Sequence, residues 1–283
     1  MIVQFNATHA QDLYDFYVDQ RGCVPFYFST DFNTWHDSLL FDTDYNGDPL
    51  FKETEIFLVL EAGHITGFIQ LAISNFVFAP DDNRTSESSY GIIRNLYFMP
   101  DCQNAYLLMD CAAEYFILHG ISKPHAFFQY FGMSRYARQG KLHENEYHIE
   151  TLLEKYGYAK EHENVYFSKL LSDDFEDEQS ITFKYSNTGE TVSFLSGTDE
   201  LGGCELYFVP KSTICFLKWI YIDNAFTHKG YGTQCMKKLF YVLKQKGISR
   251  LDTDTADSNL AAQGYYRKND FIDMGRMRSY CIY

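Results

Sequence analysis

No stretch of the 283 residues approaches the roughly 20 consecutive apolar residues of a membrane-spanning helix, so no membrane partner is expected. The opening residues lack a basic start followed by an apolar run, and the chain reads as cytoplasmic. Cys-x-x-Cys is missing too. The seven cysteines (Cys23, Cys102, Cys111, Cys204, Cys215, Cys235, Cys281) are scattered, and an odd number without a secretion signal points to free, mostly buried thiols rather than a disulfide frame or a zinc site. Positive charge is scarce early in the chain. Residues 1–180 carry 28 acidic and 11 basic side chains, residues 181–283 carry 10 and 13, and the formal net charge is −14. An acidic first part disfavours nucleic-acid phosphates and attracts cations, although solubility alone also accounts for such charge. Core-forming residues are plentiful: 46% of the chain is hydrophobic and 18% aromatic, enough for two packed units.

The segment 172–180, Ser-Asp-Asp-Phe-Glu-Asp-Glu-Gln-Ser, has one large apolar residue and is expected to be a solvated linker. The resulting division is 1–172, an acidic linker at 173–180, and 181–283. In the first part, 9–20 and 31–40 read as helices, and 55–60 and 64–73 as a hairpin turning at Glu61-Ala62-Gly63. A strand at 92–99, a helix at 103–119, a strand at 126–131, a helix at 149–155 and a closing strand at 165–171 follow. The second part gives strands at 191–195, 205–209 and 213–222, a helix at 230–246, a strand at 250–255, a helix at 259–268 and a final strand from 271. Strands and helices mixed in this order predict an α/β fold with a central mixed sheet in each part.

The sharpest local signal lies at 227–233, where strand, short turn, Gly-x-Gly and helix follow one another: Thr227-His228-Lys229-Gly230-Tyr231-Gly232-Thr233. Glycines at a helix start let backbone N–H groups approach a phosphate, where the helix dipole also favours negative charge. Lys218, Lys229, Lys237, Lys238, Lys244, Lys246 and Arg250 surround this stretch against the single acid Asp223, so an anionic ligand is expected. Alone, a Gly-x-Gly is as well read as a tight turn. No Gly-Lys-Ser/Thr follows, which excludes a Walker A loop, and the absence of a third glycine excludes a dinucleotide fingerprint.

The stretch resembles the coenzyme A loop of the GNAT superfamily of N-acetyltransferases, Arg/Gln-x-x-Gly-x-Gly/Ala after a strand ending in an apolar-Tyr-apolar triplet. Ile220-Tyr221-Ile222 matches the triplet and Gly230 and Gly232 the glycines, while Thr227 stands where Arg or Gln is usual and His228 where glycine is common. Residues 259–271, Asn-Leu-Ala-Ala-Gln-Gly-Tyr-Tyr-Arg-Lys-Asn-Asp-Phe, resemble the family's Asn-x-x-Ala-x-x-Leu-Tyr-x-Lys-x-Gly-Phe. The resemblance covers 213–283. It implies acetyl-CoA as cosubstrate, an Asn259 near the pantetheine, and a Tyr266 that protonates the leaving thiolate. Laid on the first part, the template meets Leu96-Tyr97-Phe98 and Gln103, but Tyr106 and Leu108 occupy the glycine positions. Lys155-Tyr156-Gly157-Tyr158 resembles Lys-x-Gly-Phe, with Leu153 in the tyrosine place and Glu146 in the asparagine place. The first part thus resembles a GNAT fold without its cofactor loop, and the second lacks the two early helices.

The family implies direct attack of an amine on the thioester, with a strand N–H of Ile220 or Ile222 polarising the carbonyl and a carboxylate, or water held by one, taking the proton. Glu205 is the first candidate base, and Asp252 and Asp254 are others. No metal is expected: residues 252–263 fail an EF-hand at its fifth, sixth and twelfth positions, and 143–148 is not His-Glu-x-x-His. The expected acceptor is a small cationic amine, and the chain a monomer or homodimer. A non-catalytic acyl-CoA sensor and a purely structural relative are the competing readings.

Overall fold

The computed structural model describes residues 1–21, 28, 31–43, 47–78, 83–128, 131–132, 140–187 and 189–283. They form two compact units, residues 1–163 with 277–283, and residues 164–276. In chain order the elements are β1 (Ile2–Gln4), α1 (Ala10–Arg21), α2 (Phe32–Leu40), β2 (Phe51–Glu61), β3 (His64–Ser74), β4 (Val77–Phe78), β5 (Arg84–Thr85), β6 (Gly91–Phe98), α3 (Tyr106–Leu118), β7 (His125–Ala126), β8 (Leu142–His143), α4 (Tyr147–Lys155) and β9 (Ala159–Leu170). There follow β10 (Thr182–Tyr185), β11 (Thr191–Ser196), β12 (Asp199–Phe208), β13 (Ile214–Ile222), α5 (Tyr231–Gln245), β14 (Arg250–Ala256), α6 (Leu260–Lys268) and β15 (Ile272–Cys281). The mixed α/β class expected from sequence is what is found. No helix among the described residues is long and apolar enough to cross a membrane.

In the first unit the sheet runs β1-β2-β3-β6-β7-β15, with the start of β9 next to β15. The β2–β3 hairpin closes where expected, because Ala62 (φ 51°) and Gly63 (φ 87°) give the two left-handed residues that a tight hairpin turn needs. Asp31 caps α2 by accepting from the Thr34 N–H at 2.9 Å. Helix α3 starts three residues later than expected, since 101–105 fold as turns with Leu107 and Leu108 N–H returning to Asn104 and Ala105 carbonyls. The strand expected at 126–131 pairs only at His125–Ala126; Phe127 turns to φ 55°, and 129–130 lie outside the described residues. Leu13, Tyr17 and Trp35 from α1 and α2, and Leu108, Met109 and Leu153 from α3 and α4, pack on Leu58, Phe68 and Leu96 of the sheet.

In the second unit the order is β9-β14-β13-β12-β11-β10, with β9 contributing Asn164 to Leu170. Strand β12 is longer than expected and β10 was not anticipated at all. The apolar stripe of α5 (Met236, Leu239, Phe240, Leu243) is buried against Leu206, Leu217 and Leu251. Among the described residues no helix other than a short 3-10 turn (Asn224–Phe226) precedes α5 in this unit, as expected.

The units divide within strands. Residues 165–171 were read as closing the first part, yet they pair antiparallel with β14, Leu170 opposite Arg250 and Asn164 opposite Ala256. Conversely the end of β15 serves the first unit, Cys281 and Tyr280 opposing His125 and Ala126. The acidic segment at 173–180 is mostly exposed, as expected, but it lies inside the second unit rather than between two units. Phe175 stacks 5.1 Å from Phe240, Asp177 binds Lys238, and Asp173 meets Lys244 at 3.1 Å. Its lone apolar residue is half-buried against the edge of the core, and two of its carboxylates answer lysines of α5.

The six described cysteines are free, four of them buried, and Cys23 lies outside the described residues. A second buried feature is ionic. Arg94 is 2% exposed, binds Asp42, and donates to the carbonyls of Phe131 (3.0 Å) and Ser38 (3.1 Å). Removing one partner of a buried pair strands the other charge. Asp42→Ala is expected to lower the unfolding free energy by about 3–5 kcal/mol, against less than about 1 kcal/mol for Lys52→Ala on the surface, as read by urea denaturation.

Candidate functional site

Strand β13 is bulged. Glu205 opposes Trp219 and Leu206 opposes Leu217, so Lys218 is an extra residue on β13. Its parallel pairing with β14 runs from Ile214 opposite Arg250 to Leu217 opposite Thr253 and stops there, although both strands continue. β14 stays with β9 through Ala256, and β13 stays with β12 through Ile222. The two therefore part beyond the bulge. The Asp223 N–H donates to Leu201 of β12 at 2.9 Å, so the alternation of the strand turns the N–H groups of Ile220 and Ile222 to the opposite edge, toward the gap.

A pocket of about 350 Å³ opens at this edge. Of the expected site residues, Ile220, Tyr221, Ile222, Thr227, His228, Gly232 and Tyr266 line it. Phe226, Ala261, Ala262 and Tyr265 line it as well, and none had been singled out. Ala261, Ala262 and Tyr265 were quoted within the second motif, Tyr265 at its leucine position, so a signal for them existed; Phe226 had none beyond its aromaticity. Lys229, Gly230, Tyr231 and Thr233 carry the loop into α5 without lining this pocket.

The loop has the backbone of a phosphate cradle. Gly230 is the N-cap of α5 at φ 89°, with no side-chain cap. Thr233 and Gln234 N–H return to its carbonyl at 3.1 and 3.2 Å, and the N–H groups ahead of them have no partner within the helix. Gly232 lies against Tyr265: a Cβ there would sit 3.3 Å from the Tyr265 ring, whose hydroxyl donates to the Gly232 carbonyl at 2.7 Å. His228, in the place where glycine was expected, keeps a left-handed φ of 59°. Thr227 is committed locally, its hydroxyl donating to the Asn224 carbonyl at 2.9 Å, and Lys229 donates to Ala225 O at 2.8 Å.

The cationic surround read from sequence is dispersed. Lys218 binds Glu205, Lys238 binds Asp177, Lys244 binds Asp173, Arg250 binds Asp252, and Lys237 lines a separate cavity with Asp174 and Glu176. Lys218, Lys238 and Lys244 are thus answered by carboxylates remote in sequence, Arg250 by one two residues on, and Lys246 lies over the Tyr185 ring.

Tyr266 is 4% exposed, between Phe167 and Phe271 at ring distances of 5.4 and 5.5 Å. The Thr253 hydroxyl donates to Leu217 O at 2.9 Å and lies 3.4 Å from the Tyr266 hydroxyl. Burial raises the Tyr266 pKa, opposed by Thr253, so this phenol keeps its proton. Asn259 is the N-cap of α6, accepting from the Ala262 N–H at 3.1 Å, and does not line the pocket. Neither does Glu205. Its oxygens bind Lys218 and accept from Trp219 Nε1 at 2.7 Å, which clamps both bulge residues. Asp252 is fully buried and accepts from Tyr166 (2.8 Å), Ser168 (2.7 Å) and Arg250 (3.0 Å). Burial raises its pKa against the pull of Arg250 and these bonds. Asp254 binds Asn164.

The motif's glycine position ends α6 as a Schellman turn. Asp270 sits at φ 60°, its N–H donating to Arg267 O at 3.0 Å and that of Phe271 to Tyr266 O at 3.1 Å. The same bonds end α4 around Gly157, from Gly157 to Glu154 and from Tyr158 to Leu153. Asp270→Gly is expected to raise stability by about 0.5–1 kcal/mol, the left-handed penalty less the entropy of glycine. Gly230→Ala is expected to lower it by about 1 kcal/mol; thermal unfolding measures both.

Residues 145–271 match the acetyltransferase (GNAT) family. Among solved structures, the chain is similar over 99% of its length to the GCN5-related glucosamine N-acetyltransferase region of a fungal multi-domain β-N-acetylglucosaminidase, at 11% identity and TM-score 0.66, and spans 38% of that protein. It is similar over 99% of its length to a tandem GNAT protein of the clavulanic acid biosynthesis pathway (10% identity, TM-score 0.66, 97% of that chain covered). A GCN5-related N-acetyltransferase from Sphaerobacter thermophilus gives 10% identity and TM-score 0.62, with 99% of this chain and 94% of that one covered. No curated protein sequence matches significantly. The splayed strands, the glycine loop at a helix start and the family match agree: residues 145–271 are a domain of the acetyltransferase (GNAT) family, and the whole chain has the two-unit fold of the tandem GNAT structure it resembles.

Proposed function

We propose that the second unit transfers an acetyl group from acetyl-CoA to the amine of a small, cationic acceptor by direct attack. The observation that carries this reading is the parting of β13 from β14 after Leu217 and Thr253, which frees edge N–H groups beside a buried, protonated tyrosine. The residues present suit the cosubstrate. Apolar side chains of Ile220, Ile222, Ala261 and Ala262 wall the pocket for a pantetheine arm, and the start of α5 offers backbone donors for a pyrophosphate. When bound, acetyl-CoA supplies the activated acyl group. The N–H groups of Ile220 and Ile222 would hold the carbonyl oxygen as charge grows on it, and Tyr266 would give its proton to the departing sulfur.

Glu205 enters as a positioning residue and a charge rather than a free base, since both oxygens already accept hydrogen bonds. Water then takes the amine proton. On the exposed face of β13, Trp219 and Tyr221 lie with ring centroids 5.7 Å apart, offering π faces to an alkylammonium group. That pair and the acidic balance of residues 1–180 favour a cationic acceptor.

A second reading is acyl-CoA binding without transfer. It is favoured by Thr227, whose hydroxyl is engaged with Asn224 where the family carries a long cationic or amide side chain. Calorimetry with CoA, beside thiol release from acetyl-CoA across an amine panel, separates the two: binding without release selects the second, and neither sinks both. For the first, Tyr266→Phe is expected to lower kcat on the order of 100-fold with KM for acetyl-CoA little changed. Because the Tyr266 pKa is raised, wild-type kcat should climb with pH as the acceptor loses its proton and show no tyrosine-dependent fall below about pH 10.

A further inference from the structure

We propose that His125, Glu161 and Cys281, all in the first unit and remote from the acyl-CoA pocket in sequence, form a binding site for a zinc-type divalent cation. They stand on β7, on the start of β9 and at the end of β15, three strands side by side in the order β7-β15-β9. His125 and Cys281 are direct register partners on antiparallel strands, which puts both side chains on one face. One ring nitrogen, one carboxylate oxygen and the sulfur lie within 4.8 Å of one another.

The geometry is close to that of a tetrahedral site. Zinc bonds of about 2.0–2.3 Å to nitrogen, oxygen and sulfur place neighbouring ligand atoms about 3.3–3.8 Å apart, and His125 Nδ1 is 3.1 Å from Glu161 Oε2. The imidazole is held in place, stacked 4.4 Å from Phe128 at 20° and met edge-on by Tyr90 at 5.1 Å. Cys281 is 5% exposed, and the other two side chains are mostly buried. Charge balances as well: a thiolate, a carboxylate and a neutral imidazole match a doubly positive ion, so the filled site holds no net charge in a poorly solvated place.

His125 also lines an open groove of about 460 Å³ with Tyr90, Ser122 and Lys123. Three protein ligands leave the fourth position of a tetrahedron for water or an exchangeable ligand, the arrangement of reactive rather than closed zinc sites. A His, Glu and Cys set favours zinc over magnesium or calcium, which take oxygen ligands.

The test uses the full chain after treatment with a chelator, titrated with Co²⁺ as a coloured probe and with Zn²⁺ by calorimetry. Expected are one ion per chain, a thiolate-to-cobalt charge-transfer band, and bleaching of that band by zinc. Cys281→Ser and His125→Ala should abolish the band, and Glu161→Gln should weaken binding at least about tenfold. Circular dichroism reports whether each variant folds, and Glu161→Gln, which alters a partly exposed side chain, covers the case in which the buried variants do not. CoA binding by the second unit should be unchanged in Glu161→Gln. A band absent from the wild type, surviving in both Cys281→Ser and His125→Ala, or undiminished by Glu161→Gln overturns the proposal.

Discussion

Backbone N–H groups freed from a sheet need an acceptor, and much of this molecule follows from where β13 frees two of them. Lys218 bulges out, β14 keeps to β9 while β13 keeps to β12, and the edge of Ile220 and Ile222 is left facing a pocket. The first unit contains the same device. Gln70 opposes Asn95 and Leu71 opposes Ile93, so Arg94 is the extra residue there, and β6 pairs with β7 only at Ile92 and Ile93. The outcome is opposite. Every residue of β6 is buried, His148 donates to the Phe98 carbonyl at 3.0 Å, and Tyr97 packs on Phe127. One bulge opens a pocket, and the other lies under side chains.

That contrast refines how the glycines of the loop matter. The start of α3 lacks them, and side chains at Tyr106 and Leu108 were expected to block a phosphate. Leu108 is in fact absorbed into the core and only Tyr106 is exposed. The larger difference is in the backbone: Ala105 caps α3 in right-handed geometry (φ −58°), whereas Gly230 caps α5 in left-handed geometry. Elsewhere the left-handed turn survives without glycine, at His228 and Asp270. Both hold a left-handed backbone at the expense of some strain.

Legibility in the sequence followed the range of the interactions. The hairpin at Ala62-Gly63, the helix starts at Asp31 and Asn259, and the loop ending at Gly232 rest on contacts a few residues apart, and the pattern of residues encodes them directly. The class of fold and the association of the loop with Tyr266 followed from two motifs in order. What stayed hidden depends on remote partners. The lysines flanking the loop read as a phosphate field because Glu205, Asp177 and Asp173 could not be known to answer them. The bulge at Lys218 is a matter of register, invisible without the opposing strand. The acidic segment read as a linker because nothing local reveals that Phe175 meets Phe240.

The interlaced strands bear on how the chain acquires its structure. The second unit takes Asn164–Leu170 from a strand begun in the first, and the first takes its β15 residues from beyond the second. During synthesis the first unit therefore cannot complete its sheet until the whole of 164–276 has been made. β7 waits with an unpaired edge, a feature that invites pairing with other chains. Folding strictly from the N-terminus, the usual course for chains of this size, cannot finish the first unit first: its last strand arrives only after the second unit, which is one continuous segment.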